Sequence, residues 1–191
     1  MRDWQDISYL KLMGTQRQQE AFETTMALGI LDKLAPFHPT LVSTVCVEFD
    51  IEESDLDFIC QFDDPAVFEA AVRSNFGDYE NFSFWQRQPD KSEIAAAFHF
   101  MTFPIQIFGS TVSVKEQNAY RHLNVMARLA MIGGKEFRYN VRELKGEGFK
   151  TEPALAKLLG LRGDPYQAIL ELEELDDFEL EELIEEALMP F

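Results

Sequence analysis

Residues 52–62 read EESDLDFICQF, two aspartates one residue apart set directly against a run of apolar side chains. Whether Asp55 and Asp57 cap a helix or open a strand decides the fold. Ser54 followed three residues later by Asp57 resembles a capping box, with Asp in place of the usual Glu or Gln. A helix over residues 56–62 would last barely two turns, because Asp63, Asp64 and Pro65 begin another at once. So short an isolated helix is marginal, and Phe58, Ile59 and Cys60 suit a strand better. Side chains alternate along a strand. Asp55, Asp57, Ile59 and Gln61 then share one face, and Leu56, Phe58, Cys60 and Phe62 share the other. The apolar face packs on a core, and the two carboxylates meet at the strand entrance.

Outward from this strand, TLVSTVCVEF (residues 40–49) is rich in Val and Thr and predicts a preceding strand. DDPAVFEAAVRSNFG predicts a helix, with Asp64 as N-cap, Pro65 at the first helical position and Gly77 at its end. FSFWQRQ and IAAAFHF predict strands separated by the polar turn PDKSE, and FPIQIFG another after a tight connection near Met101 and Thr102. Residues 4–34 carry Phe22, Met26 and Ile30 at helical spacing, ended by Pro36 and Pro39. From Val114 onward the chain reads as helical, with Thr151 as an expected N-cap. Runs of strands followed by runs of helices predict an α+β protein. The expected organisation is an α/β core with an N-terminal helix over residues 1–113, and a helical portion over residues 114–191 packed on it, ending in an acidic helix.

Composition narrows the partners. Of 191 residues, 46% are hydrophobic and 13% aromatic, enough for a substantial core. The net charge is −17, yet residues 171–186 hold ten acidic side chains and no Lys or Arg. Removing them leaves about −7, ordinary for a soluble domain. That balance argues against a duplex nucleic acid groove or a polybasic membrane patch, both of which need clustered cations. A small nucleotide stays compatible, because Mg²⁺ supplies the positive charge. Cys46 and Cys60 are too few for a disulfide framework or a zinc site. With no secretory-type start and no long apolar run, a cytoplasmic location is expected.

Two carboxylates side by side repel unless a cation lies between them, and hard oxygen ligands suit Mg²⁺. By spacing alone D-x-D is a weak signal that turn chemistry often explains. Resemblance adds to it. SDLDFIC, after a Val/Thr-rich stretch and before a helix, resembles the S-D-[IL]-D signature of the nucleotidyltransferase fold shared with the DNA polymerase β superfamily. GTQRQ, SDLDFICQF, FPIQIFG, VKEQNAYRHL and KTEPALAKLLGLRGDPYQAIL, in order from Gly14 to Leu170, are similar to an uncharacterised bacterial family, domain-of-unknown-function family 4269.

The resemblance implies a mixed sheet flanked by helices, with Asp55 and Asp57 holding Mg²⁺ that carries a nucleoside triphosphate. It implies a small Gly-Ser or Gly-Thr pair cradling the phosphates, which falls on Ser43 and Thr44, with Ser54 beside the aspartates. It also implies a third carboxylate on a neighbouring strand, where this chain has the neutral Gln106. Serine in place of the glycine at Ser43 puts a side chain where a backbone would approach phosphate. Glutamine ligates through its carbonyl but takes up no proton. Glu48, Asp50 and His99 are the substitutes for that missing group, the plainer reading of His99 being a partly buried histidine satisfied by a neighbour. A catalytically inactive member of the fold, acting as a nucleotide sensor or protein-interaction module, is the competing expectation.

Further along, Gln117, Tyr120 and Arg121 share one helical face. Arg121 is either a phosphate ligand or the partner of a nearby acid, and Tyr120 either a stacking platform or a core residue. Lys145 and Lys150 bracket GEGF, read as a solvated loop rather than a phosphate-binding one, since P-loop spacing is lacking. The tail interleaves acids with Leu172, Leu175, Phe178, Leu180, Leu183, Ile184 and Leu188. It predicts a final helix with a solvated acidic face, the alternative being a helix that binds a protein partner or a second copy of the chain.

Overall fold

The computed structural model describes residues 3–86 and 92–189. The expected polar turn and the end of the strand before it fall mainly on residues 87–91, outside the described residues. Two compact units divide the chain: Met1–Cys46 with Glu53–Gln117, and Val47–Glu52 with Asn118–Phe191.

The first unit is built on a mixed five-stranded sheet. Its strands are β1 (Thr40–Leu41), β2 (Leu56–Gln61), β3 (Ser83–Gln86), β4 (Glu93–Phe100) and β5 (Phe103–Ser110), in the order β1-β2-β5-β4-β3. The β2–β5 pair is parallel and every other pair antiparallel. Within EESDLDFICQF, Leu56–Gln61 is a strand that begins directly after Asp55, and the capping-box alternative is excluded. The alternation holds where it matters for the core: Leu56, Phe58 and Cys60 are buried, while Asp57 and Gln61 are half-buried. Ile59 departs from it, being buried on the aspartate side.

On the other face, Leu56, Phe58, Ile105, Ile107, Ile94 and Phe98 form the core layer. The helix Pro65–Phe76 packs there through Phe68, Val72 and Phe76, with the Phe76 and Phe98 rings stacked at 5.3 Å. Asp64 caps it as expected, accepting from the Ala66 amide at 2.8 Å with Pro65 at the first position. Gly109 on β5 lies beneath the Phe68 ring, where an added Cβ would come within 2.3 Å of Cε1.

Two sequence expectations are corrected here. Residues 4–34 form three helices, Ser8–Leu12, Gln16–Leu28 and Ile30–Lys33. The turn at Gly14 and Thr15 starts the second with a capping box, and Gly29 breaks it with φ +67°, a conformation that glycine adopts without strain. The predicted strand over residues 40–49 ends at Leu41 and turns into a 3-10 helix, Thr44–Val47. Val and Thr content signalled an extended chain, but the tertiary bonds described below hold these residues in a tight turn.

The second unit is helical. Its long helix Asn118–Gly146 breaks at Gly134 (φ 62°), and Thr151–Leu158, Pro165–Glu171 and Asp177–Leu188 follow. For convenience the helices of the chain are α1 (Ser8–Leu12), α2 (Gln16–Leu28), α3 (Ile30–Lys33), α4 (Pro65–Phe76), α5 (Asn118–Gly146), α6 (Thr151–Leu158), α7 (Pro165–Glu171) and α8 (Asp177–Leu188). Thr151 is the first residue of α6 rather than its cap, a position held by Lys150 without a side-chain bond. In α8, Asp176 and Glu179 form a capping box, Leu180 and Ile184 are buried, and the acids around them are exposed. Among the described residues no helix is long and apolar enough to cross a membrane.

Candidate functional site

Asp55 and Asp57 stand at the entrance of β2, both half-buried. In the parallel register Asp57 lies directly across from Gln106 of β5. The Gln106 side-chain amide donates to Oδ2 of Asp55. Asp55, Asp57 and Gln106 thus lie on one face of two neighbouring strands, with Gln106 bonded to Asp55. The amide sits on the carboxylate as a neutral donor, where a third carboxylate would have repelled it.

The turn before β2 brings Ser43 to the same place. Its hydroxyl is buried, donates to the Asp55 carbonyl at 2.6 Å and lies 3.4 Å from the Val45 amide. Ser43 therefore pins the start of β2 to the start of the 3-10 helix. A glycine would leave that carbonyl without this donor, which is the physical reason for a side chain here. Thr44 opens the 3-10 helix, half-buried, and Ser54 is half-buried in the turn ahead of Asp55.

A residue that sequence reading passed over completes the arrangement. Gln18 in the block GTQRQ is buried, and its Nε2 donates to the Val45 carbonyl at 2.8 Å while its Oε1 accepts from the Thr15 amide at 2.9 Å. One side chain both closes the α2 capping box and holds the 3-10 helix. The capping-box spacing was available in the sequence as a signal; the long-range bond was not.

Arg121 belongs to the second unit, where its Nε and Nη2 donate to Oε2 of Glu173 at 3.0 and 2.5 Å. That bond and the negative charge hold the guanidinium still more firmly protonated. Tyr120 is buried, and Gln117 donates to the Cys60 and Val112 carbonyls. His99 is exposed rather than partly buried, with its Nδ1 3.3 Å from the Asn81 amide nitrogen. Glu48 faces Arg138 at 3.6 Å. Lys145 is not in a solvated loop: it is buried in the last turn of α5 and donates to the Phe49 carbonyl at 2.7 Å. Burial pushes the Cys60 thiol far above its usual range, so it is no nucleophile.

For a metal, the donor chemistry is the test. Among the described residues no cluster of three or more His, Cys, Asp or Glu is assembled as a cage. Asp55 and Asp57 supply two hard oxygen donors, the set by which Mg²⁺ is held when water and phosphate oxygens complete its shell. The residues fit a magnesium–phosphate ligand and not a structural metal site.

Fold and site together define an α+β protein with a mixed five-stranded sheet, a helical C-terminal part and a carboxylate pair at the head of β2, the strand that pairs in parallel with the central β5. Residues 23–172 match the domain-of-unknown-function family DUF4269, and the chain belongs to that family. No curated protein and no solved structure matches the chain.

Proposed function

We propose that the protein is a nucleotidyltransferase-like member of its fold class that binds a magnesium–nucleoside triphosphate through Asp55 and Asp57. The observation that supports this reading is the register that sets Gln106 across from Asp57 on adjacent parallel strands, with Gln106 bonded to Asp55. Mg²⁺ bound there would offset the charge on the attacking and leaving oxygens of a phosphoryl group. Thr44 and Ser54, next in the chain to Ser43 and Asp55, would add hydroxyls to such a ligand, and Ser43 ties their two segments together. Arg121, the other expected phosphate ligand, is held by Glu173 within the helical unit and has no part in this reading.

Transfer to an acceptor hydroxyl makes an oxygen–phosphorus bond, releases pyrophosphate and requires that a proton be taken up. Gln106 takes no proton. That neutral amide, already donating to Asp55, favours a second reading: nucleotide binding without transfer, as a sensor or interaction module. The exposed acids of α8 belong with that reading as a surface for a protein partner or a second copy.

Thermal unfolding with ATP, CTP, GTP and UTP, each with and without Mg²⁺, tests the binding. Magnesium-dependent stabilisation in the wild type that disappears in Asp55→Ala supports it. No stabilisation by any of the four sinks it.

A further inference from the structure

The two faces of the sheet differ in what they expose. On the α4 side Ile94, Ala96, Phe98, Ile105 and Ile107 are at most 1% exposed. On the other side the register carries one row, Asp57–Gln106–Ala97–Ser83, across β2, β5, β4 and β3. Two residues along runs a second row, Ile59–Phe108–Ala95–Trp85. In these rows Asp57, Gln106, Ala97 and Phe108 are half-buried, and Ser83 and Trp85 are exposed. Phe84 fixes the sides independently: Arg73 of α4 lies over its ring at 4.2 Å. Its neighbour Trp85 therefore points away from α4, toward the aspartate face. All of these residues belong to the sheet unit.

An exposed apolar side chain by itself is ordinary. Trp85 differs by its place. At 41% exposure it is the most exposed aromatic ring among the described residues of the sheet unit. It also ends a strip that begins at the carboxylate pair, and between the two β4 contributes only the methyl groups of Ala95 and Ala97. Three strand spacings of about 4.8 Å, about 14 Å in all, separate Asp57 from Ser83 across this strip. A phosphate held at Asp55 and Asp57 stays far from Trp85, whereas a nucleoside triphosphate laid over Gln106 and Ala97 brings its base there. We infer that the Trp85 ring is the base-stacking platform of the nucleotide site, with Ala97 as the short side chain that leaves the path to it open. The inference rests on the magnesium–nucleotide reading and adds where the base goes. Stacking uses the π face that every base has, so this subsite accepts all four bases and favours the larger purine rings.

The experiment compares Mg²⁺–ATP with Mg²⁺–tripolyphosphate, which share a phosphate chain and differ by the nucleoside. The chain has two tryptophans, of which Trp4 is buried and Trp85 exposed, so Trp85 is the one a base can quench. Mg²⁺–ATP should quench the wild-type fluorescence, Mg²⁺–tripolyphosphate should not, and the quenching should vanish in Trp85→Phe. Trp85→Ala should need about tenfold more Mg²⁺–ATP for half-maximal thermal stabilisation, within the range of base–aromatic stacking. Its response to Mg²⁺–tripolyphosphate should be that of the wild type, which also shows that the sheet is intact. Trp85→Phe keeps a ring and should bind Mg²⁺–ATP nearly as the wild type does, and Ala97→Leu, which fills the strip, should bind it more weakly. A wild-type response to Mg²⁺–ATP in Trp85→Ala or in Ala97→Leu overturns the inference, as does an equal loss of the tripolyphosphate response. So does tryptophan fluorescence that follows protein concentration and not Mg²⁺–ATP, which gives the face to a second copy of the chain. Any of these results, with tripolyphosphate still stabilising the wild type, removes Trp85 and leaves the reading of Asp55 and Asp57 standing. No stabilisation of the wild type by either probe removes that reading, and the base platform with it.

Discussion

The side-chain amide of Gln106 donates to the carboxylate of Asp55, on a strand whose register sets Gln106 directly across from Asp57. A glutamine in that place is compatible with two neighbouring aspartates in the absence of a cation, because it offers hydrogen rather than charge. Gln106→Glu replaces the donor with a third negative group. Without Mg²⁺ the variant should lose about 1.5–3 kcal/mol, the range for a hydrogen bond to a charged group. With Mg²⁺ it should regain more stability than the wild type does. Denaturant unfolding with and without Mg²⁺ checks both, and equal responses of the two proteins to the metal would refute this account of Gln106.

Loss of Asp57 should mimic loss of Asp55. Asp57→Asn keeps the shape and the strand, and should abolish magnesium-dependent stabilisation by nucleotides. A variant that still responds to Mg²⁺–nucleotide would leave Asp57 out of the site.

Gln18 carries two bonds from a buried position. Gln18→Met keeps the volume and removes both, leaving the Val45 carbonyl without this donor. A cost of about 1–3 kcal/mol is expected, with faster amide exchange in the 3-10 helix Thr44–Val47. Unchanged exchange there would reduce Gln18 to a helix cap.

His122 and Glu152 make the stability of the helical unit depend on pH. Nε2 of His122 lies 2.9 Å from the Tyr166 carbonyl and Nδ1 lies 3.3 Å from Glu152 Oε1. A carbonyl only accepts, so both ring nitrogens face acceptors and the doubly protonated imidazolium fits. Burial pulls the imidazole down, but the Glu152 and Tyr166 hydrogen bonds and the charges of Glu152 and Glu173 outweigh it, and the net shift is upward. For Glu152 burial pushes up, and the His122 bond and the charges of His122 and Lys145 bring it below its usual value. The histidine contribution is whole below the unfolded value of about 6.5 and fades as pH rises through the raised folded value. The glutamate contribution is whole above about 4.3 and fades as pH falls through the lowered one. Stability should therefore decline as pH rises above about 6.5 more steeply in the wild type than in His122→Gln. Parallel unfolding-midpoint curves for the two proteins from pH 5 to 9 would contradict the pairing.

Gly109 is a matter of space. An alanine would set its Cβ 2.3 Å from Phe68 Cε1, closer than any real contact. Gly109→Ala should cost about 1–3 kcal/mol, the usual penalty of overpacking, and Phe68→Leu in the same chain should return part of it. Additive losses in the double variant would mean that the ring and the glycine are not in conflict.

Much of this was written locally. The alternation in SDLDFICQF, the Asp64–Pro65 helix start and the FPIQIFG strand are set by side-chain periodicity and capping chemistry within a few residues, and these formed as read. Gln106 was reached through resemblance, and the register sets it directly across from Asp57. The path of residues 42–55 was not legible. Val and Thr there favour an extended chain, and only Gln18, Arg142 and Lys145, distant in sequence, supply the donors that bend it. Lys145 beside two glycines looked like loop chemistry because burial is invisible in sequence. The sequence by itself determined an α+β chain with two carboxylates at a strand head, since period and capping are local properties. Tertiary structure alone decided what holds them, because a backbone carbonyl in an irregular turn accepts from whichever donor the fold brings to it.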